Sequence, residues 1–140
     1  MFKVLAVDHI GIAVNDLDEV GKFWTEQIGI PCTGKEVVAE QKVETSFNPT
    51  PNGSEIELLA ATDPTSPIAK FIEKNGGRGG IQHIALRVDN IENAIADLMA
   101  KGVKMIDEKP RYGAGGARIA FLHPKSTHGV LLEICEHKDR

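Results

Sequence analysis

The stretch Asp8-His9-Ile10-Gly11-Ile12-Ala13-Val14 is written a second time as Gln82-His83-Ile84-Ala85-Leu86-Arg87-Val88. In each copy a histidine opens an alternating apolar strand, and a helix start follows. Those starts are Asp16-Leu17-Asp18-Glu19-Val20 and Asn90-Ile91-Glu92-Asn93-Ala94. Gly29-Ile30 then corresponds to Gly102-Val103. Each half closes on an apolar strand holding one acid, Ile56-Glu57-Leu58-Leu59 and Leu132-Glu133-Ile134-Cys135. Two histidines and two glutamates therefore recur at matching positions of a duplicated module.

Working outward, Ile10, Ile12 and Val14 point to one side of the first strand while His9, Gly11 and Ala13 point to the other. The histidine shares its side with the smallest residues, which leaves space beside it. Asp16 with Glu19 reads as a helix cap, Leu17, Val20, Trp24 and Ile28 as one apolar stripe, and Gly29 as the stop. At that spacing Trp24 favours a core position over a ligand-stacking one. Ile91, Ala94, Ile95 and Leu98 repeat the stripe before Gly102. One or two strands are expected over residues 36–47, and a strand carrying Glu57 over residues 55–60. A helix over residues 68–74, capped by Ser66 with Pro67 in its first turn, follows. Gly76-Gly77-Arg78-Gly79-Gly80 precedes a strand, whereas a phosphate loop opens a helix, so it reads as a hinge. Further strands are expected over residues 103–106, 119–123 and 130–135, with a flexible loop at residues 111–116. The result is a mixed α/β (α+β) chain of two βαβββ modules in tandem. The first spans about residues 4–64, the linker helix and hinge residues 65–80, and the second about residues 81–137.

At 140 residues the chain fits a single domain, which at this size buries about 68–70% of its unfolded surface. A net charge of −4 with no basic patch argues against a nucleic-acid partner. No apolar run approaches the roughly 20 residues that span a bilayer. The N-terminus reads as a strand and not as a signal peptide, and Cys32 and Cys135 form no disulfide framework. A reducing cytoplasm is the expected compartment.

Two imidazoles and two carboxylates suit a divalent transition metal, with Zn, Co, Ni and Fe favoured by nitrogen and Mn accepted by oxygen. Glu57 and Glu133 lie mid-strand between apolar neighbours, where an unpaired carboxylate is costly and needs a cation. Any one of the four alone would read as an ordinary structural residue; their repetition favours His9, Glu57, His83 and Glu133 as a joint ligand set. His123, His128 and His137 have no repeat counterpart; His123 reads as shaping the turn with Pro124, and His137 as part of a charged tail. Cys135 shares a face with Glu133, yet a small buried hydrophobe is the better reading.

The residues quoted above, with Ser66-Pro67-Ile68-Ala69-Lys70-Phe71 and Phe121-Leu122-His123-Pro124-Lys125-Ser126 leading to Gly129-Val130-Leu131-Leu132-Glu133, resemble the vicinal oxygen chelate superfamily. Within it they resemble the methylmalonyl-CoA epimerase family. The resemblance implies the paired-module fold closing around one divalent ion, Co2+ first, with Mn2+, Ni2+ or Zn2+ also accommodated. It implies His9, Glu57, His83 and Glu133 as ligands and metal-dependent epimerisation at C2 of an acyl-CoA through an enolate, with Glu133 as one base. The third-strand glutamate that some members use as the opposite base falls on Thr45, which leaves the adjacent Glu44 as a weak substitute. Lys125 and Ser126 are expected against the substrate carboxylate or thioester, against the alternative of a solvated turn. Arg111, and less so Arg87, are expected at coenzyme A phosphates. The family also implies a homodimer. Two alternatives stand beside this: a lactoylglutathione lyase of the glyoxalase I type, and a metal-free ligand-binding protein of the same fold.

Overall fold

The computed structural model describes residues 1–138. The chain falls into two compact units, His9–Gln82 and Met1–Asp8 joined by the chain from His83 onward.

In the unit His9–Gln82 the sheet order is β2-β3-β4-β1. It is built from the His9–Ala13 part of β1 (Val4–Ala13), β2 (Gly34–Val38), β3 (Val43–Pro49) and β4 (Glu55–Ala61). β1 and β4 run parallel, and the other neighbours are antiparallel. Helix α1 (Leu17–Lys22) begins where Asp16 accepts from the backbone N–H groups of Asp18 and Glu19 at 3.0 Å each. Leu17, Val20 and Trp24 pack with Val14 and Leu58, so Trp24 is a core residue, as its spacing indicates. The expected stripe fails at Ile28, which is 51% exposed. The reason is that Phe23–Ile28 winds as a π-helical turn, closed by Gly29 at φ 89° with its N–H on the Trp24 carbonyl. The wider turn carries Ile28 away from the face set by an α-helical period. Helix α2 (Pro67–Lys74), capped by the Ser66 hydroxyl, lays Ile68, Phe71 and Ile72 on Ala13, Val43 and Leu59. Burying Ile68 alone is worth about 1.5–3 kcal/mol.

The glycine run after α2 is fastened down. Asn75 donates to the carbonyls of Arg78 and Gly79, and Asn15 to that of Gly77. A Cβ on Gly79 would lie 2.3 Å from the Ala13 carbonyl oxygen, so the strand passes too close for any side chain.

In the other unit, the His83–Val88 part of β5 (Gly80–Val88), β8 (Leu132–Glu136), β7 (Arg118–Leu122) and β6 (Arg111–Tyr112) follow one another in that order. β5 and β8 are parallel and the rest antiparallel, the same pattern as before. Helix α3 (Ile91–Ala100) starts on Asn90, whose side chain accepts from Asn93 N–H, while Glu136 accepts from Ile91 N–H. Its stripe of Ile91, Ala94 and Ile95 is buried with Val88, Ile134 and Leu122, as expected, and Phe2 packs on the same core. Lys3 and Asp89 exchange hydrogen bonds that tie the N-terminus into this unit.

Two local expectations change. Residues 103–106 make a single bridge, Met105 to Leu122, and not a strand, because Ile106 and Asp107 both direct their N–H groups to the Phe121 carbonyl and break the ladder. The expected loop at residues 111–116 holds the short strand β6 and a 3-10 turn. Each half nonetheless follows the strand, helix, three-strand order of a βαβββ module. Among the described residues no helix is long and apolar enough to cross a membrane.

Candidate functional site

The repeated histidines and glutamates form two buried pairs of one design. In the unit His9–Gln82, Gly11 stands opposite Glu57 across the parallel β1/β4 ladder. His9, two residues before Gly11, therefore shares a sheet face with Glu57. Its Nδ1 lies 3.3 Å from Glu57 Oε2, with both side chains 8% exposed. In the second unit Ala85 stands opposite Glu133 across β5/β8. His83, two residues before Ala85, presents Nε2 at 3.3 Å from Glu133 Oε1, with both side chains 5% exposed. Register and alternation thus generate the same diagonal pair twice.

These contacts are longer than the roughly 2.7–2.9 Å of a tight charge-assisted hydrogen bond. Both pairs offer nitrogen and carboxylate donors from a dry interior, a donor chemistry that fits a divalent transition metal. The chain holds a possible metal-binding group of this kind; which ion it takes is a separate matter.

Around His83 and Glu133 the structure adds residues for which the sequence carries little signal. Phe121 lies opposite Glu133 in the β7/β8 ladder and meets the His83 ring edge-on, with centroids 5.5 Å apart. Arg111 stacks over that phenyl ring at 5.6 Å and pairs with Asp107 at 3.2 Å. Asp107 also accepts from Phe121 N–H at 2.9 Å. Arg111 is thereby held in place while its side chain stays 41% exposed. The signal that would have found Phe121 is its position two strands from a repeat histidine, which only register reveals.

The turn after β7 is shaped by His123, whose Nδ1 accepts from Lys125 N–H at 3.0 Å, in keeping with its expected role. Lys125 is exposed. The Ser126 hydroxyl accepts from Lys104 N–H at 2.8 Å, so its oxygen already serves the turn.

Arg87 and His137 depart from expectation. Arg87 Nε lies 2.8 Å from Asp8 Oδ1, with Asp8 only 1% exposed, so its guanidinium neutralises a buried acid and is not held out for phosphate. His137, expected in a charged tail, folds back to within 2.9 Å of the same oxygen. Asp8, Cys135 and His137 bring donor atoms within 4.8 Å of one another, but Arg87 already supplies the counter-charge there. Burial, reinforced by the Asp8 and Glu133 charges, pushes the Cys135 thiol far above its usual range, which keeps it a packing residue.

Glu44 stands opposite Ala60 and Val37, on the α1 side of its sheet. The Lys35 ammonium is held up first by Asp18 on α1 and more weakly by Glu44, which marks the same side. Thr45, fully buried opposite Leu59, occupies the face of His9 and Glu57. The strand register does not slip to exchange the two.

Comparison with known proteins places this arrangement. The family model of the glyoxalase/bleomycin resistance protein/dioxygenase superfamily matches residues 8–121, and the chain belongs to that superfamily. Within it the chain is similar to the mitochondrial methylmalonyl-CoA epimerase of Dictyostelium discoideum, at 39% identity over 93% of this chain and 77% of that protein. The crystal structure of methylmalonyl-CoA epimerase from Mycobacterium tuberculosis superposes with a TM-score of 0.90 at 36% identity, covering 95% of this chain and 88% of that one. The Streptomyces coelicolor enzyme, solved in complex with 2-nitronate-propionyl-CoA, gives a TM-score of 0.89 at 38% identity over 97% and 96%. The fold is therefore the vicinal oxygen chelate fold.

Proposed function

We propose that this chain is a methylmalonyl-CoA epimerase, interconverting the 2R and 2S thioesters by removing and returning the C2 proton. The observation that carries it is the buried His–Glu diagonal repeated at matching register in both units of a chain within this family. The C2 proton lies between a thioester and a carboxylate, so its loss leaves negative charge delocalised onto oxygen.

His9, Glu57, His83 and Glu133 are proposed to hold one divalent ion, Co2+ first, with Mn2+, Ni2+ or Zn2+ as alternatives. When bound, the ion would supply Lewis-acid stabilisation of that oxygen charge. Glu133 is proposed as one acid/base group; its carboxylate is buried beside His83, where positioning and loss of solvent favour proton transfer to a substrate held against it. Arg111, braced by Asp107 and Phe121 yet exposed, suits a coenzyme A phosphate, and Lys125 in its turn suits a second anionic group. The Ser126 hydroxyl keeps a proton to donate to a thioester or carboxylate oxygen. An acyl-CoA fits these cations better than a glutathione adduct does. A homodimer working in the cytoplasm completes the proposal.

The test is proton NMR of methylmalonyl-CoA in D2O, using protein stripped by chelator and reloaded with Co2+, beside Glu133→Ala. Metal-dependent loss of the C2 proton signal, absent in the variant, is the expected result. No exchange above the uncatalysed background in the loaded wild type sinks the proposal.

A further inference from the structure

The turn that carries Lys125 and Ser126 is stitched to the segment ahead of it. His123 N–H donates to the Lys104 carbonyl at 2.9 Å, and Ser126 N–H to the His123 carbonyl at 2.9 Å. Lys104 N–H donates in turn to the Ser126 hydroxyl oxygen at 2.8 Å. These bonds close a ring, so the place of the Ser126 oxygen is set by backbone groups. Lys125 N–H lies outside that ring. It is met by the His123 side chain, whose Nδ1 accepts from it at 3.0 Å across Pro124. Proline locks its own φ and restricts the residue before it, so the imidazole starts from a constrained backbone. Both peptide groups that flank the Lys125 Cα are therefore bonded to one residue, His123, through Nδ1 on one side and the carbonyl on the other.

The same turn holds His128 at φ 61°, in the left-handed region that a non-glycine residue enters only at a cost. A backbone kept there is over-determined by its surroundings, and such segments cluster where ligands are clamped.

We infer that His123 is a positioning residue for substrate binding, an inference that rests on the epimerase proposal and its use of Lys125 and Ser126. An imidazole nitrogen that accepts from a backbone N–H carries no proton, so the neutral ring holds its proton on Nε2. In that form His123 gives the exposed Lys125 side chain a fixed base, and the turn is shaped for an anionic group before substrate arrives. Without the Nδ1 acceptor the turn spends part of its time in other arrangements. Apparent affinity then falls with the fraction that remains competent, while the chemistry of bound substrate is unchanged.

The test uses holoenzyme loaded with Co2+, with interconversion of the 2R and 2S thioesters followed by an enzyme that consumes one epimer. In H123L we expect KM to rise by about five- to tenfold, the weight of one net hydrogen bond, with kcat within about threefold of wild type. H123N, whose amide oxygen accepts from an N–H two residues on as in an Asx turn, should recover most of the lost affinity. In a K125M/S126A background, adding H123L should change KM by less than about twofold, because the groups through which His123 acts are gone. Nitrogen NMR of the histidine rings in Zn2+-loaded wild type should show His123 with Nδ1 bare and Nε2 protonated; this reading needs no variant to fold.

A KM in H123L within about twofold of wild type overturns the inference, as does a protonated Nδ1 in the wild type. So does an H123L effect of equal size in the K125M/S126A background, or an H123N as impaired as H123L. A wild type that interconverts neither epimer refutes the epimerase proposal, and the substrate role of the turn falls with it. The nitrogen spectrum distinguishes the two failures, since it reads the His123 bond whatever the reaction.

Discussion

Replacing Arg87 with methionine keeps most of the side-chain volume but removes the cation from Asp8, a carboxylate only 1% exposed. Breaking a buried pair by deleting one partner costs about 3–5 kcal/mol, because the remaining charge has lost its water as well as its partner. One feature of the structure pulls the expected value to the low end. Arg87 retains 13% side-chain exposure, so water reaches part of the vacated site. We therefore expect a loss of about 3 kcal/mol. At roughly 3 °C per kcal/mol for a chain of this size, that is about 9 °C in Tm. The double variant D8N/R87M removes both charges and should return to within about 1.5 kcal/mol of wild type, since replacing a buried pair by neutral groups is often close to neutral. Urea and thermal unfolding followed by circular dichroism measure all three proteins. A loss below 1 kcal/mol in R87M, or a double variant no more stable than R87M, would refute the view of Arg87 as the buried counter-ion of Asp8.

Two further outcomes follow from the packing. Gly79→Ala would set a methyl group 2.3 Å from the Ala13 carbonyl oxygen, a backbone atom that cannot swing aside, and should cost about 2–3 kcal/mol in thermal unfolding. Gly76→Ala, in open space at φ 73°, should cost about 1 kcal/mol, so equal losses would remove the clash as the cause. In native protein at pH 8 a disulfide reagent should titrate Cys32, which is exposed, and spare Cys135, whose buried thiol is held far from ionisation; both should react after denaturation. Rapid native-state reaction of Cys135 would contradict that burial.

The duplication, the helix starts and the two repeated His–Glu pairs were legible in the sequence because each depends on short-range pattern. Asp16, Ser66 and Asn90 cap helices through hydrogen bonds two or three residues away, so residue type and spacing suffice. The faces of His9 and His83 follow from alternation, and Glu57 and Glu133 occupy the same place in both repeats. Even the exclusion of Glu44 is an alternation argument, once β3 keeps its register against β4.

What the sequence left open involves partners far apart along the chain, or a small change in winding. The π-helical turn at Phe23–Ile28 differs from an α-helical one by a single residue per hydrogen-bonded ring, a difference settled by packing and by Gly29. Arg87 reads as a coenzyme A phosphate contact until β1 brings Asp8 to it across 79 positions of sequence. Phe121 reads as one apolar strand residue until the β7/β8 register sets it opposite Glu133. Residue chemistry and periodicity determined which groups this protein carries and which way each one faces along its own strand. Tertiary pairing decided which of them meet, because register between strands is fixed by the packing of whole faces and leaves no trace in any one strand.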